Sequence, residues 1–396
     1  MRMRAGPAIG HAARILMAPR VRFLQRPVRP DAIAPGPIIV SGYFSEVNGI
    51  GRAGRLTLES ARTWGGTVIA HDLSADPRTV RGVAGTAGGV WLAHCNPPEA
   101  MAFMVDHRSA HVWADRYRIG YWAYELERIP DAWLPALRLF HEIWAPTRFV
   151  ADAILAACDP HGPPVRVVPH PQPARDDIVP DRKRFGIQSG FTGLTMFDGR
   201  STMARKNPMG AVMAFQRAFA PHDDAALIVK VVEGGVEPRA LAELQATIAG
   251  WPNIHFVNDK LKDREVLELI ASVDVLISLH RSEGFGLPIA EAMTVGVPCV
   301  ITGWSGSAEF ASGAAVEIPY RLVPAADPSR RYERPDLRWA EPDLDAAAAA
   351  LRRLASEPAY RAELAAAARR IAFERLQHPI TAPHLSRFIA ASDQPA

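Results

Sequence analysis

Two carboxylates, Glu283 and Glu291, flank a glycine-bearing turn and are separated by seven residues. A carboxylate beside a phosphate would be repelled, so these side chains are better suited to accept hydrogen bonds from hydroxyl groups. Sugar hydroxyls on one side and ribose hydroxyls on the other would suit the pair. The alternative is that both are solvated acids near a helix N-terminus, which they would stabilise by roughly a few tenths of a kcal/mol.

The segment around these glutamates predicts a strand, a loop and a helix in succession. Residues 273–279 form an apolar run that is long enough for a buried strand and too short for a helix. Residues 280–286 are polar and contain two glycines, and the helix that follows has Pro288 in its first turn, where the missing N–H is no loss. This arrangement favours anion binding, because free N–H groups and the helix dipole point at the ligand.

Length and composition indicate the broad class of protein. The chain has 396 residues, 48% of them hydrophobic, which is too long for one ordinary core, so we expect two domains. No apolar run approaches the length of about 18 residues that a membrane-spanning helix needs. The three cysteines are widely separated and lack CxxC spacing, which favours a reducing compartment and argues against a zinc site. The net charge of +3 does not indicate a nucleic-acid partner.

The first 30 residues form a basic leader. Seven arginines precede the first acidic residue, Asp31, and the apolar stretch at residues 15–18 is too short for a signal peptide. Two interpretations stay open. The leader is either disordered, or it is a basic arm attracted to anionic lipid by roughly 1 kcal/mol per charge near the surface. The second interpretation would place a cytoplasmic protein at the inner face of the membrane.

A glycine pattern early in the chain supports a dinucleotide-binding alternative. Residues 37–44 predict a strand, and Gly49, Gly51 and Gly54 in the loop after it match GxGxxG. Asp72 ends the next predicted strand, about where the ribose-binding acid of a dinucleotide fold would lie. This hypothesis, an NAD-dependent oxidoreductase, is weakened by the spacing, because several residues separate the strand from the first glycine.

His94 ends another predicted strand, residues 89–94, and Asn96 follows it closely. Open α/β sheets bind ligands at the carboxyl ends of their strands, so both side chains are candidates for a binding site. The alternative for His94 is a histidine satisfied by the backbone at a strand end.

Cations follow the strand predicted at residues 193–198. The segment GRSTMARKNP contains Arg200, Arg205 and Lys206. Two adjacent cations at a helix N-terminus oppose the helix dipole, so a solvated helix start explains them poorly. Cations suit an anionic leaving group, which gains charge as the bond to it breaks.

The rest of this half alternates strands and helices, which predicts a parallel sheet. Residues 320–340 are rich in Arg, Pro and Asp, and we expect them to form a long connection. Alanine-rich helices then extend to about residue 377, with a last helix from Pro379.

These segments resemble the family 4 retaining glycosyltransferases, the group 1 enzymes of the GT-B fold. The resemblance depends on EGFGLPIAE at 283–291, RKNP at 205–208 and the later Ser305-Gly306 pair. The pattern YWAYELERIP…EIWAPTRFV is similar to the branch of mannosyl- and glucosyltransferases that acts in polysaccharide and O-antigen assembly.

The resemblance implies an α/β protein of two Rossmann-like domains, whose parallel sheets face a central cleft. Residues 31–175 would form the acceptor domain and residues 176–375 the nucleotide-sugar donor domain. Residues 376–396 would form a helix that returns to the first domain.

The resemblance also implies site roles. Glu283 would contact the transferred sugar, with His94 and Asn96 as further catalytic candidates near it, and Glu291 would hold the ribose. Lys206 would hold the diphosphate together with Arg200, Ser201 or Arg205, and this choice stays open. Other donor contacts would come from Gly284, Phe285, Gly286 and Leu287, and from the Gly49–Gly51 loop of the first domain.

The implied reaction transfers a hexose from a GDP- or UDP-sugar to a hydroxyl of a glycan or lipid-linked acceptor, with retained configuration. No DxD motif follows a predicted strand, so we expect no metal and no other cofactor, with cations and helix dipoles in the metal's place. No carboxylate pair suited to a covalent intermediate stands out, which favours front-face displacement. A non-enzymatic interaction protein on the same scaffold is a further alternative, against which the intact glutamates and RKNP argue.

Overall fold

The structure is a computed structural model that describes residues 26–74, 82–105, 110–188, 190–232, 234–332 and 334–391. It divides into two compact units, one formed by Met1–Pro171 with Pro379–Ala396 and the other by Gln172–His378. Residues 1–25 of the basic leader lie outside the described residues, so the interpretation of the leader stays a prediction.

The first unit contains a six-stranded parallel sheet. Its strands are β1 (Ile38–Gly42), β2 (Val68–Asp72), β3 (Val90–Ala93), β4 (Tyr117–Tyr121), β5 (Glu142–Ala145) and β6 (Val165–Val167). The spatial order is β2-β1-β3-β4-β5-β6, so the direction of progression reverses between β1 and β3. Strands β1, β3, β4 and β5 are buried along their whole length, as expected for a parallel sheet covered on both faces.

Short helices connect these strands. They are α1 (Gly49–Ala61), α2 (Pro97–Val105), α3 (Ala110–Ala114), α4 (Leu134–Leu137) and α5 (Arg148–Leu155). Polar caps define where two of them begin: the Asn48 side chain accepts from the Gly51 N–H, and the Thr147 side chain accepts from the Val150 N–H. Each cap satisfies one of the N–H groups that a helix N-terminus leaves without an intrahelical partner.

The chain returns to the first unit after Pro379, but not as the α-helix predicted there. Residues Pro383–Phe388 form a 3-10 helix, and Leu385 and Phe388 are buried in the core of this unit. The carbonyl of Ile380 accepts a hydrogen bond from Trp64 Nε1 at 2.7 Å. The prolines in this short segment interrupt the backbone hydrogen bonds that a longer helix would need.

The second unit contains another six-stranded parallel sheet. Its strands are β7 (Phe191–Asp198), β8 (Ala225–Val232), β9 (Ile254–Val257), β10 (Val275–Ser278), β11 (Cys299–Thr302) and β12 (Ala315–Ile318). Their order is β12-β11-β10-β7-β8-β9, the strand order of a dinucleotide-binding Rossmann fold, with a reversal between β7 and β10. Successive residues Leu276 and Ile277 enter different apolar clusters, as expected where both faces of a sheet are covered.

The helices of the second unit cover this sheet. They are α6 (Met203–Lys206), α7 (Pro208–Ala218), α8 (Pro238–Ile248), α9 (Asp263–Ala271), α10 (Leu287–Val295), α11 (Gly306–Ala311), α12 (Leu344–Ser356) and α13 (Pro358–Arg375). In the part of the chain that the structure describes, no helix is both long and apolar enough to cross a bilayer.

The expectation of an irregular connection over residues 320–340 is wrong. β13 (Tyr320–Ala325) and β14 (Arg334–Pro342) form an antiparallel hairpin in the second unit. Along β14, Leu337 and Trp339 are buried while Arg338 between them is exposed. Arg321 and Arg338 therefore lie exposed on the strands, and Arg330 and Arg331 lie exposed in the turn between them.

The buried carboxylate of Glu142 holds several parts of the first unit together. It accepts hydrogen bonds from Trp144 Nε1 at 2.8 Å, from Arg166 Nε at 2.8 Å and from His384 Nε2 at 3.0 Å. Because the Trp144 N–H is also buried, it has no access to water if its acceptor is removed.

We therefore predict that Glu142→Leu lowers the free energy of unfolding by about 1–3 kcal/mol, since it leaves the Trp144 N–H without an acceptor. Urea unfolding measures this change. The matched control is Glu59→Leu, whose side chain is 78% exposed, and for which we expect a change within about 0.5 kcal/mol. Equal losses of stability in the two variants would contradict the structural role of Glu142.

Candidate functional site

The strand order of the second unit places two polar loops side by side. β7 and β10 are neighbours, and the order reverses between them. Open α/β sheets bind ligands beyond the carboxyl ends of their strands at such a reversal. β7 ends at Asp198, just before the segment with the three cations, and β10 ends at Ser278, just before the loop with Glu283. This edge of the sheet is the candidate site.

Glu283 lies buried between two cations of the facing loop. Its carboxylate contacts Lys206 Nζ directly and lies 3.4 Å from Arg205 Nη1. Burial would raise the pKa of Glu283, but the charges of Lys206 and Arg205 outweigh it and lower the pKa to about 2. The side chain is therefore an anion at neutral pH, with positive charge beside it.

The backbone of Glu283 is fixed by the loop after β11. The Glu283 N–H donates to Ser305 Oγ at 2.8 Å, and the Gly306 N–H donates to the Glu283 carbonyl at 2.9 Å. Ser305 has a φ of +68°, a conformation that costs a non-glycine residue about 1–3 kcal/mol. The Ser305-Gly306 pair therefore positions Glu283 in this structure.

RKNP connects the two loops. Arg205 is almost completely buried, and its Nη1 donates to the Ser282 carbonyl at 2.7 Å. Asn207 adopts a φ of +51°, donates from Nδ2 to the Leu279 carbonyl at 2.8 Å and caps α7. Asparagine suits this position, because its short polar side chain tolerates the left-handed region and bonds nearby backbone.

The residues proposed beside Lys206 occupy different environments. Arg200 forms a bidentate pair with Asp198, with a shortest distance of 2.8 Å, and about a fifth of each side chain is exposed. Ser201 ends the 3-10 turn Gly199–Ser201. Arg205, in contrast, lies inside the protein against the loop of Glu283. In the structure, Lys206 and Arg205 thus form ion pairs with Glu283, whereas Arg200 forms an ion pair with Asp198.

Glu291 lies in the second turn of α10 and is also buried. This helix begins after Gly286, whose φ of +93° favours glycine over any other residue. Phe285 packs against Phe310 with ring centroids 4.8 Å apart, which anchors the loop in the core. Gly284 precedes this anchor and Leu287 is the first residue of the helix, and the donor contacts expected of both residues stay a prediction.

The sequence analysis assigned no role to His280, which the structure places in the same site. Its ring is completely buried, with Nε2 at 3.1 Å from Ser307 Oγ and Nδ1 at 3.1 Å from Ser278 Oγ. Burial lowers the pKa of His280 to about 4. The only sequence signal was its position directly after the apolar run, which does not distinguish a packing residue from a site residue.

In the first unit, His94 follows β3 at the point where the strand order reverses. It is buried, with its ring centroid 4.5 Å from that of Tyr121 and 5.5 Å from that of His170. Burial lowers the pKa of His94 to about 3, so the ring is neutral. Among the residues that the structure describes, its Nδ1 atom has no hydrogen-bond partner. The alternative of a histidine satisfied by the backbone is therefore wrong for this nitrogen.

Asn96 has a role in local structure. Its Oδ1 accepts from the Ala123 N–H at 3.0 Å, and its carbonyl accepts from the N–H groups of Glu99 and Ala100 in α2. These bonds fix the turn after β3. The structure thus shows His94 and Asn96 in one turn, with the Asn96 amide oxygen bonded to the backbone.

The prediction that Gly49 and Gly51 lie in a loop is wrong, because both residues lie in the first turn of α1. A Cβ on Gly51 would lie 2.3 Å from the Glu46 carbonyl oxygen, so the close packing of helix and loop explains this glycine. The Asp72 carboxylate accepts from the N–H groups of Phe44 at 3.1 Å and Ser74 at 2.9 Å. These contacts give the glycines and Asp72 structural roles and further weaken the dinucleotide hypothesis.

A comparison with protein families identifies the second unit. Residues 195–333 match the family model described as "Glycosyl transferases group 1". This unit carries a group 1 glycosyltransferase domain. The match includes both loops of the candidate site and extends into the β13–β14 hairpin.

A curated relative is similar over a shorter stretch. The protein named "Putative glycosyltransferase 48" of Sulfolobus islandicus filamentous virus is 36% identical over 63 residues, which is 16% of this chain. The matched stretch spans 20% of the length of that relative.

Solved structures with the same fold extend the comparison to both units. Anabaena HepE in complex with UDP and glucose has a TM-score of 0.57 at 14% identity, over 86% of this chain and 95% of its own. A glycosyltransferase from Rickettsia africae has a TM-score of 0.61 at 13% identity, and the match covers 89% of this chain and 95% of that chain. WaaG, a glycosyltransferase involved in lipopolysaccharide biosynthesis, has a TM-score of 0.53 at 15% identity, and the match covers 86% of this chain and 96% of that chain. The predicted fold class, α/β of the GT-B type with two parallel sheets, is confirmed.

Within the described ranges, no three His, Cys, Asp or Glu side chains come together in a way that could hold a metal ion. Metal independence of the glycosyltransferase domain stays a prediction, to be tested by ligand binding in the presence of a chelator.

Three buried histidines give the folded protein a specific pH dependence. Burial lowers the pKa of His94 to about 3 and of His280 to about 4, and it lowers the pKa of His170 well below the ordinary 6.5. Below pH 6.5 the unfolded chain therefore binds more protons at these sites than the folded chain does. The contribution of these histidines to the free energy of unfolding is fully present above pH 6.5. It falls as the pH drops below 6.5 towards the pKa values of the folded state.

We predict that the free energy of unfolding falls between pH 7 and pH 5, and that His94→Gln reduces this fall by up to about 1.4 kcal/mol per pH unit. Urea unfolding at the two pH values measures the effect. His161→Gln is the control, because His161 is exposed. If His94→Gln and His161→Gln kept the pH dependence of the unchanged protein, the neutral buried state of His94 would be wrong.

Proposed function

We propose that this protein is a retaining glycosyltransferase acting in cell-surface polysaccharide synthesis. It transfers a hexose of the mannose or glucose type from a GDP- or UDP-sugar to a hydroxyl of a glycan or lipid-linked acceptor. The main support is the buried Glu283 carboxylate paired with Lys206 and Arg205 at the strand-order reversal of a group 1 domain. The complex of HepE with UDP and glucose, and the link of WaaG to lipopolysaccharide, agree with this substrate class.

The chemistry of the site suits a nucleoside diphosphate as leaving group. The diphosphate gains negative charge as the glycosidic bond breaks, and preorganised cations stabilise that charge. Lys206 retains partial exposure of its side chain, whereas Arg205 is buried. Lys206 therefore contacts the diphosphate, together with the positive end of the α10 helix dipole. Arg205 does not contact the diphosphate itself. It fixes the loop of Glu283 through the Ser282 carbonyl and the Glu283 carboxylate.

The two glutamates divide the donor between them. Glu283 accepts hydrogen bonds from hydroxyls of the transferred sugar, and its low pKa keeps it a pure acceptor at working pH. Glu291 accepts from the ribose hydroxyls. His94, the catalytic candidate of the first unit, offers a neutral imidazole that adds no charge to a binding site. The acceptor oxygen then attacks the anomeric carbon on the face from which the nucleoside diphosphate leaves. The bond from this carbon to the phosphate oxygen breaks and the hydroxyl proton passes to that oxygen, so that the configuration is retained.

Calorimetric titration of the full chain in EDTA tests the ligand class and metal independence together. We expect UDP or GDP to bind in the chelator, because Lys206 replaces the metal, and we expect no binding of NADH. Tight NADH binding, with none for either nucleoside diphosphate, would favour the oxidoreductase alternative. Binding of UDP or GDP only after Mn²⁺ or Mg²⁺ is restored would show that the cations do not replace a metal.

A second prediction separates the roles of the glutamates. Glu291→Ala should weaken nucleoside diphosphate binding by about 1.5–3 kcal/mol, because it removes a charge-assisted bond to the ribose. Glu283→Ala should leave that affinity nearly unchanged and lower kcat by about a hundredfold, since the reacting sugar is misplaced. Calorimetry and turnover measure the two effects in parallel.

Glu363→Ala provides the control, because this glutamate is exposed on α13, outside the candidate site. Both its nucleotide affinity and its turnover should match those of the unchanged protein. Loss of nucleotide binding in Glu283→Ala but not in Glu291→Ala would reverse the assignment and the orientation of the donor.

A further inference from the structure

Arg281 connects three segments of the glycosyltransferase domain. Its N–H donates to the Arg205 carbonyl at 2.7 Å, and its Nη1 donates to the Ala204 carbonyl at 2.5 Å. The same guanidinium forms a bidentate pair with Glu341 of β14, at 2.6 and 3.1 Å. Arg281 thus links the loop of Glu283, the segment of Lys206 and the β13–β14 hairpin.

β14 holds Arg281 through consecutive residues. Ala340 donates its N–H to the Arg281 carbonyl at 2.8 Å, and the Trp339 ring centroid lies 5.7 Å from the guanidinium carbon. Glu341 completes the set with its two hydrogen bonds. Backbone, ring and carboxylate together leave the arginine little freedom to change direction.

The turn of the hairpin approaches the same site at a second point. The buried Asp327 carboxylate accepts from the Ser329 side chain and from the N–H groups of Ser329, Arg331 and Tyr332, at 2.7–3.1 Å. This fixes the turn, and the Tyr332 ring lies 5.3 Å from the guanidinium carbon of Arg205. The hairpin therefore contacts both loops of the site: Tyr332 lies against Arg205, and Glu341 pairs with Arg281.

We propose that Arg281 and Glu341 are positioning residues, through which the β13–β14 hairpin fixes the distance between Glu283 and Lys206. This inference rests on the proposed function for its effect on catalysis. Arg281 lies two residues before Glu283, and its acceptors Ala204 and Arg205 directly precede Lys206.

The pair contributes geometry more than general stability. Its side chains are 21% and 28% exposed, so solvent screens part of their attraction. A guanidinium fork on a carboxylate still fixes direction, because two parallel hydrogen bonds allow one orientation. Lysine keeps the charge of arginine but lacks this fork.

Hydrogen exchange tests the positioning without depending on activity. In Glu341→Gln and Arg281→Lys, we expect several-fold faster amide exchange in peptides that cover residues 203–207 and 280–286. The control is Glu357→Gln, which removes an exposed ion pair with Arg353 on the α12–α13 side of the unit and should leave these peptides unchanged. Unchanged exchange of these peptides in both site variants would overturn the inference.

Turnover of a nucleotide sugar provides the second measurement. Per folded molecule, kcat should fall by about 10- to 100-fold in both site variants, because small displacements of reacting groups are costly. A purely structural ion pair would lower the melting temperature and leave both local exchange and kcat unchanged, which would also contradict the inference. If the unchanged protein transferred no sugar, the proposed function would fail, while the exchange experiment would still decide whether the hairpin positions these loops.

Discussion

The charge of Glu283 is the constraint on which the candidate site depends. A buried carboxylate is costly unless it is paired and hydrogen-bonded, and here Lys206 and Arg205 supply that pairing. The three side chains come from two loops that are far apart in sequence. Both loops must therefore be held in place, and the strand order of the sheet, the left-handed Asn207 and the Ser305 hydroxyl all contribute to this.

The two loops meet because their strands are neighbours. β7 and β10 pair directly although 76 residues separate the end of the first from the start of the second. In a parallel sheet, both strands end at the same edge, so the residues after them face one region. The same rule acts in the first unit, where α1 follows β1 and His94 follows the neighbouring β3. The site candidates of each unit thus lie at the point where its strand order reverses.

Sequence patterns predicted the sheets well and the side-chain contacts only in part. The apolar runs and glycine punctuation located β7, β10 and α10, because burial and capping act locally along the chain. They did not locate the β13–β14 hairpin, since its arginines and prolines resemble those of a loop and its alternation appears only along β14. The pair of Arg281 and Glu341 joins residues sixty positions apart. No local pattern specifies such a pair, because tertiary packing creates it.

The structure also separates residues that the sequence made equivalent. Arg200 and Arg205 both follow β7 and carry the same charge, yet Arg200 pairs with Asp198 and Arg205 is buried against Glu283. The first pair is neutral as a whole, whereas two cations against one carboxylate leave net positive charge around Glu283. A site that favours a diphosphate needs such an excess, and in a buried setting it acts with little screening. The charge balance therefore supports the proposal that the diphosphate binds at Lys206 and not at Arg200, a distinction that depends on burial and not on residue type.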